Sequence, residues 1–300
     1  MSFKKELVSI IVTTFNSEKY ISRCLENISH QTYKHIEVVV VDNSSVDSTV
    51  SLVSNYKKRL RIQTVIVKKC TLAEARNIGI KHAEGELISF CDCDDIYFPW
   101  KTEKQVELLK KNTDSDGTYG EWLHFRSELP GSLYFRNLAQ PFDCLENIIL
   151  KMPFSLSTLL VRKSKCPLFT EGYLGSCAED WQFMIQCKCR NLNLKQSTDV
   201  MTLIEERQDS LSKKVYAKQK LVFAFYLFTL FPKRIYSLNT YMALIESILC
   251  HLFKYVAFEI LKKFVIRKQN MLCILSLYYQ KRKERVLPLN NKYIHSFSAI

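Results

Sequence analysis

The first 95 residues alternate short β-branched runs with apolar residues at helical spacing, and each run ends in a polar cluster. Leu7-Val-Ser-Ile-Ile-Val-Thr13 reaches Phe15-Asn16-Ser17, after which Tyr20, Ile21, Cys24, Leu25 and Ile28 recur with a helical period. Ile36 to Val41 is apolar enough to be covered on both faces, as inner parallel strands are, and stops at Asp42-Asn43-Ser44-Ser45. Ser44 and Asp47 make the S-x-x-D pattern of a helix start, which predicts a helix through Val50, Val53 and Tyr56. Ile62–Val67 reads as a third strand and Leu72–His82 as a helix. Leu87–Phe90 reads as a fourth strand, running into Cys91-Asp92-Cys93-Asp94-Asp95. Four strands joined by three crossovers predict an α/β fold: a Rossmann-like, mostly parallel sheet with right-handed connections, flanked by helices.

In such sheets a ligand sits outside the carboxyl ends of the strands. The polar clusters at Thr13–Ser17, Asp42–Ser45 and Asp92–Asp95 fall there together. Each alone is also what an ordinary turn is made of; their convergence on one edge predicts a site. The chain has only seven glycines and no G-x-G-x-x-G after the first strand, which removes the main support for a dinucleotide-binding oxidoreductase. Asp92, Asp94 and Asp95 put three carboxylates into four residues. Unpaired they would raise one another's pKa values, a cost that a hard divalent cation removes. Mg2+ or Mn2+ takes one or two protein carboxylates and completes its shell with water and phosphate oxygens.

Charge divides the chain. Residues 211–300 carry 16 Lys/Arg against Glu246, Glu259 and Glu284, whereas the preceding residues balance 27 basic against 27 acidic. The expected organisation is a catalytic domain over residues 1–212 and a basic, helical C-terminal region over residues 213–300. No apolar run in that region reaches the ~18 residues needed to span a bilayer. Its apolar faces beside Lys/Arg clusters at 213–220, 262–268 and 281–285 suit either an anionic membrane surface or packing on the catalytic domain. No nucleic-acid-binding signature accompanies the charge, and none is expected as a partner. The eleven cysteines are odd in number, two of them lie in or beside an apolar strand, and no leader pattern precedes Leu7. Free thiols in a cytoplasmic protein are therefore expected, peripheral on the inner membrane face if the tail binds lipid. Cys187-x-Cys189 lacks a second pair at zinc spacing and is expected to be helical core and surface.

The segments VSIIVTTFNSEKYISRCLENISHQTY, IEVVVVDNSSVDST and AEARNIGIKHAEGELISFCDCDDIYFP occur in this order over residues 7 to about 110. They resemble the family 2 glycosyltransferases, and the likeness extends more loosely to about residue 212. The resemblance implies a GT-A fold and transfer of one sugar, with inversion, from a nucleotide-sugar donor. The donor is expected to be a UDP-sugar. By that likeness Thr13 and Phe15 lie against the nucleotide, Asp42 hydrogen-bonds the base, and Arg76 sits near base and diphosphate. Asp92 and Asp94 match the family's Asp-x-Asp pair, with Asp94 the more direct metal ligand. Asn43 and Cys93 depart from the commoner residues of the pattern.

Glu179-Asp180 at a helix start resembles the family's catalytic acidic pair. Inverting displacement needs one carboxylate to take the proton of the attacking hydroxyl. That role is assigned to Asp180, with Glu179 as the alternative; the plainer alternative is that both acids only stabilise the helix start. Ser157–Val161 is expected to be a strand, and Gly117–Gly131 strands and loops beneath an acceptor cleft near Trp122 and Trp181. Arg207 is a candidate for the donor phosphates. The Gln-x-x-Arg-Trp signature of processive synthases is absent, so a single addition is expected. The acceptor is expected to be a glycan or lipid-linked saccharide in cell-surface polysaccharide or lipopolysaccharide synthesis. A non-catalytic nucleotide-sugar-binding protein of the same fold, and an Asp-x-Asp phosphohydrolase, are the alternatives.

Overall fold

A computed structural model describes residues 6–125, 138–174, 178–205, 216–230 and 237–267. Four parallel strands form one half of the sheet: β1 (Val8–Thr14), β2 (Ile36–Asp42), β3 (Arg61–Ile66) and β4 (Leu87–Asp92). They are linked by α1 (Ile21–Ser29), α2 (Thr49–Ser54) and α3 (Leu72–His82). β1 is buried along its whole length and β2 nearly so, which is why both read as continuous apolar runs. α3 lies so close to β1 that a Cβ added at Gly79 would overlap Ile11 Cγ2.

The second half of the sheet departs from parallel winding. β5 (Ile96–Tyr97) and α4 (Lys101–Lys111) follow the acidic turn, then come β6 (Gly117–Phe125), α5 (Leu145–Leu150), β7 (Leu160–Arg162), α6 (Glu179–Cys189) and β8 (Leu194–Glu205). The eight strands lie in the order β3-β2-β1-β4-β7-β6-β8-β5. β7 is antiparallel to both β4 and β6, and β5 is antiparallel to β8. The result is a mostly parallel sheet with helices on its faces, as the alternation predicts.

Three local expectations are corrected. Ser44 does not cap α2; it sits at φ +61° and donates to the Val67 carbonyl at 2.6 Å. Asp47 instead accepts from the Thr49 amide at 3.0 Å, where α2 begins. Tyr56 lies beyond that helix, in the turn that follows it. Ser157 and Thr158 belong to a short 3-10 turn (Leu156–Thr158), held because the Ser155 carbonyl accepts from the Thr158 amide and hydroxyl. The strand starts only at Leu160.

Two C-terminal helices, α7 (Tyr216–Phe228) and α8 (Leu238–Arg267), pack against each other, and α8 also packs on α5. Phe223 stacks on Trp181 of α6 at 4.4 Å, and Phe223, Leu227, Leu244 and Ile248 join the same apolar core as Phe90, Phe169 and Phe183. Among the described residues no helix is long and apolar enough to cross a membrane.

Candidate active site

The carboxyl ends of β1, β2 and β4 converge, and their loops are laced together. Asn16, at φ +46°, accepts the Val46 amide on Oδ1 and gives its own amide to Ser45 Oγ. The Ser17 amide donates to Thr49 Oγ1 at 2.8 Å. Thr13 is buried at the end of β1, while Phe15 just beyond it is 51% exposed, leaving an aromatic face open at the rim. Asp42 is 1% exposed: Oδ2 accepts the Ser45 amide at 2.9 Å, and Oδ1 is buried with no hydrogen-bond partner. A buried acceptor left unmatched costs free energy, and a ligand N–H reaching Oδ1 would remove that cost.

α3 supplies the centre. Its start is fixed by a reciprocal capping box, in which Thr71 Oγ1 accepts the Glu74 amide and Glu74 Oε2 accepts the Thr71 amide. One turn on, Arg76 is 2% exposed, with Phe169 against its guanidinium at 5.4 Å. Nη2 donates to Asp92 Oδ1 at 2.9 Å; Nη1 donates to Glu179 Oε1 at 3.0 Å and Asp180 Oδ1 at 2.5 Å. One guanidinium thus gathers the acidic turn after β4 and both acids of the α6 first turn. Burial alone would lower the pKa of Arg76, but Asp180, Asp92 and Glu179 outweigh it and hold the guanidinium charged.

Burial likewise acts first on Asp180, with Glu179 and Asp92 adding to it against the pull of Arg76, and its carboxyl is pushed up to about 7. The side chain is 30% exposed, so solvent reaches it. Asp95 is buried and also raised, first by burial and then by the charges of Asp92 and Asp94. Three acids share the one cation of Arg76, with Asp94 and Asp95 beside them, so carboxyl groups outnumber cations at this edge. That donor set fits a divalent cation that completes its shell with phosphate oxygens. Among the described residues no group of three or more His, Cys, Asp or Glu is arranged to hold a metal by itself. Between these acids the Cys93 thiol donates to Ser17 Oγ at 3.2 Å, and burial and Asp94 push its pKa up.

Several contributors had no sequence signal. Arg23 on α1 donates to the Asp94 carbonyl at 3.0 Å and to Glu205 Oε2 at 2.6 Å, clamping the acidic turn to the end of β8. Asn77 accepts the Phe169 amide and donates to the Phe169 carbonyl and Glu171, docking the segment that leads towards α6. Thr71 and Glu74, by contrast, carry the T-x-x-E signature of their capping box in the sequence. Trp122 is 3% exposed, its ring N–H on His124 Nε2, and Trp181 donates to the Ile148 carbonyl; both serve packing. Arg207 and residues 126–131 lie outside the described residues.

Residues 9–132 match the family model described as glycosyl transferase family 2. This segment is a family 2 glycosyltransferase segment. Glycosyltransferase GlyG of Streptococcus pneumoniae serotype 4 is 32% identical over 151 residues, covering 49% of this chain and 48% of GlyG. An uncharacterized glycosyltransferase of Rickettsia bellii is 28% identical over 196 residues, 62% of this chain and 27% of that protein. The chain therefore spans about half of the first of these relatives and about a quarter of the second. S. aureus TarS 1-349, solved in complex with UDP-GlcNAc, aligns with a TM-score of 0.64 at 23% identity, over 83% of this chain and 73% of that one. The mannosyltransferase PcManGT of Pyrobaculum calidifontis, solved with GDP-Man and Mn2+, aligns at 0.58 and 16% identity, over 85% and 76%. The family 2 segment is thus built on the GT-A fold.

Proposed function

We propose that this protein transfers one sugar, with inversion, from a nucleotide-sugar to a hydroxyl of a glycan or lipid-linked acceptor. The observation that carries the reading is the placement of Arg76, which joins Asp92 to Glu179 and Asp180 at the carboxyl edge of the parallel strands. Thr13 and Phe15 would flank the nucleotide, and Asp42 Oδ1 would accept an N–H of the base. A UDP-sugar is the favoured donor: S. aureus TarS is described with UDP-GlcNAc, although PcManGT is described with GDP-Man.

In this reading Asp180 takes the proton of the acceptor hydroxyl as its oxygen attacks the anomeric carbon. The bond to the diphosphate breaks on the opposite face, and the nucleoside diphosphate leaves with the electron pair. Arg76 holds the base in orientation and carries positive charge towards the leaving group. Mg2+ or Mn2+, held by Asp94 with Asp92, would neutralise the departing diphosphate. Glu179 shares Arg76 with Asp180 and is the alternative base. Residues 1–212 would form the catalytic unit and residues 213–300 its basic helical companion, in a cytoplasmic enzyme of cell-surface polysaccharide or lipopolysaccharide assembly.

The test is release of nucleoside diphosphate from UDP-sugars and GDP-mannose, with Mn2+ and a panel of saccharide acceptors. Turnover that is lost in Asp180→Asn while nucleotide binding survives supports the reading. Nucleotide binding without turnover by any donor and acceptor favours the non-catalytic protein of the same fold.

A further inference from the structure

α8 has two apolar faces on opposite sides. Leu244, Ser247, Ile248 and His251 are buried: the Ser247 hydroxyl donates to the Ile149 carbonyl of α5 at 3.0 Å, and His251 packs edge-on to Phe223 at 4.9 Å. The other face runs from Leu238 (77% exposed) through Met242, Ile245, Leu249, Phe253 (74%) and Val256 to Ile260, all exposed. At about 100° per residue these side chains fall within an arc of roughly 80°, and the stripe is about 33 Å long. A long stripe of apolar side chains in water marks an interaction surface.

We propose that this face of α8 docks on an anionic bilayer surface, with its apolar side chains entering the headgroup–acyl boundary. The charge of the region selects that occupant. Residues 211–300 hold 16 Lys/Arg against three acids, which is attraction towards acidic headgroups. The same charge opposes a second copy, because pairing two such faces would bring both basic regions together. The helix lies along the surface rather than across it, since its opposite face is already packed on α5 and α7. The inference does not depend on the catalytic reading, because binding is measured without turnover.

The experiment is co-sedimentation of the full chain with phosphatidylcholine vesicles and with vesicles that also contain phosphatidylglycerol. Expected are pelleting with the anionic vesicles, weakening as salt rises, and at least about tenfold weaker binding by Leu249→Glu/Phe253→Glu. A second variant, Lys281→Glu/Lys283→Glu, changes charge outside the described helices and is expected to weaken binding to the anionic vesicles alone. Failure of the folded wild type to bind anionic vesicles overturns the proposal, as does undiminished binding by both variants. A dimer seen by light scattering and abolished by the Leu249/Phe253 change gives the face to a second copy and overturns it too.

Discussion

Arg76 and Asp180 are 104 residues apart in the chain and 2.5 Å apart in the fold. The contact holds the start of α6 against α3, and it sets the electrostatics of the proposed base. Without Arg76 the Asp180 carboxyl would be raised further by burial, Glu179 and Asp92; with it, the group titrates at about 7.

The pH dependence follows from that balance. Only ionised Asp180 can accept a proton, so kcat/KM is expected to rise with pH through a midpoint near 7 and then level off. The sign for stability is opposite. A carboxyl raised in the fold holds its proton better than in the unfolded chain, so its contribution is present below the unfolded pKa and lost as pH rises through about 7. Asp180→Asn is expected to lose turnover altogether while giving the same thermal shift with nucleotide as the wild type. A kcat/KM profile flat from pH 5 to 8 would remove Asp180 from the role of base.

Replacing Arg76 with alanine leaves Asp92, Glu179 and Asp180 facing one another. Loss of one partner of a buried pair costs about 3–5 kcal/mol. The lower end is expected here, because the Asp92 and Asp180 side chains are 42% and 30% exposed and water screens them. Arg76→Lys restores charge but not the three-way donation, so it is expected to recover only part of the loss in chemical denaturation.

Asp42 Oδ1 is a buried acceptor waiting for a donor. Asp42→Asn is expected to weaken binding of the matching nucleotide by about 10- to 100-fold, the range for a hydrogen bond to a charged group. Calorimetric titration of UDP and GDP checks it: equal, unchanged affinities in the variant would place the base elsewhere.

Metal dependence is expected to be visible as nucleotide-linked stability. With nucleotide at 100-fold over its Kd the gain is about 2.7 kcal/mol, and it is expected to need Mn2+ or Mg2+. Asp94→Ala is expected to abolish the metal-dependent part in a thermal-shift assay, leaving the metal-free part as in the wild type.

Gly79→Ala tests the packing of α3 on β1. The new methyl would overlap Ile11 Cγ2, and overpacking of this kind costs about 1–3 kcal/mol. Because Arg76 lies one turn earlier on the same helix, KM for the donor is expected to rise along with the loss of stability.

The half of the sheet that was legible is the parallel half, β1 to β4, although β3 at its edge is exposed or half-buried along its length. β1 and β2 spell out their burial as runs of valine and isoleucine, and the polar residues at their ends mark the site edge. α4 escaped because much of its inward face is polar: Lys101, Thr102 and Gln105 are buried beside Val106 and Leu109. Lys101 donates to Ser89 and Gln105, and burial lowers its pKa to about 7. Only Val106 and Leu109 give it an apolar period. β8 escaped because its first half alternates exposed and half-buried polar residues before the apolar stretch from Val200. The motif residues stand in local patterns, but Arg23 does not, because its partner Glu205 is 182 positions away. Contacts of that span leave no local trace.

The stacking of Trp181 on Phe223 has a consequence for how such chains diversify. The residue next to the proposed base is also a wall of the pocket that receives α7. A C-terminal region exchanged by recombination at the charge boundary near residue 212 would arrive with a foreign surface against the underside of α6. Inheritance of the basic tail and of α6 is therefore expected to be joint, with the tail's apolar contacts changing in step with residues 181–185 rather than drifting as an independent cassette.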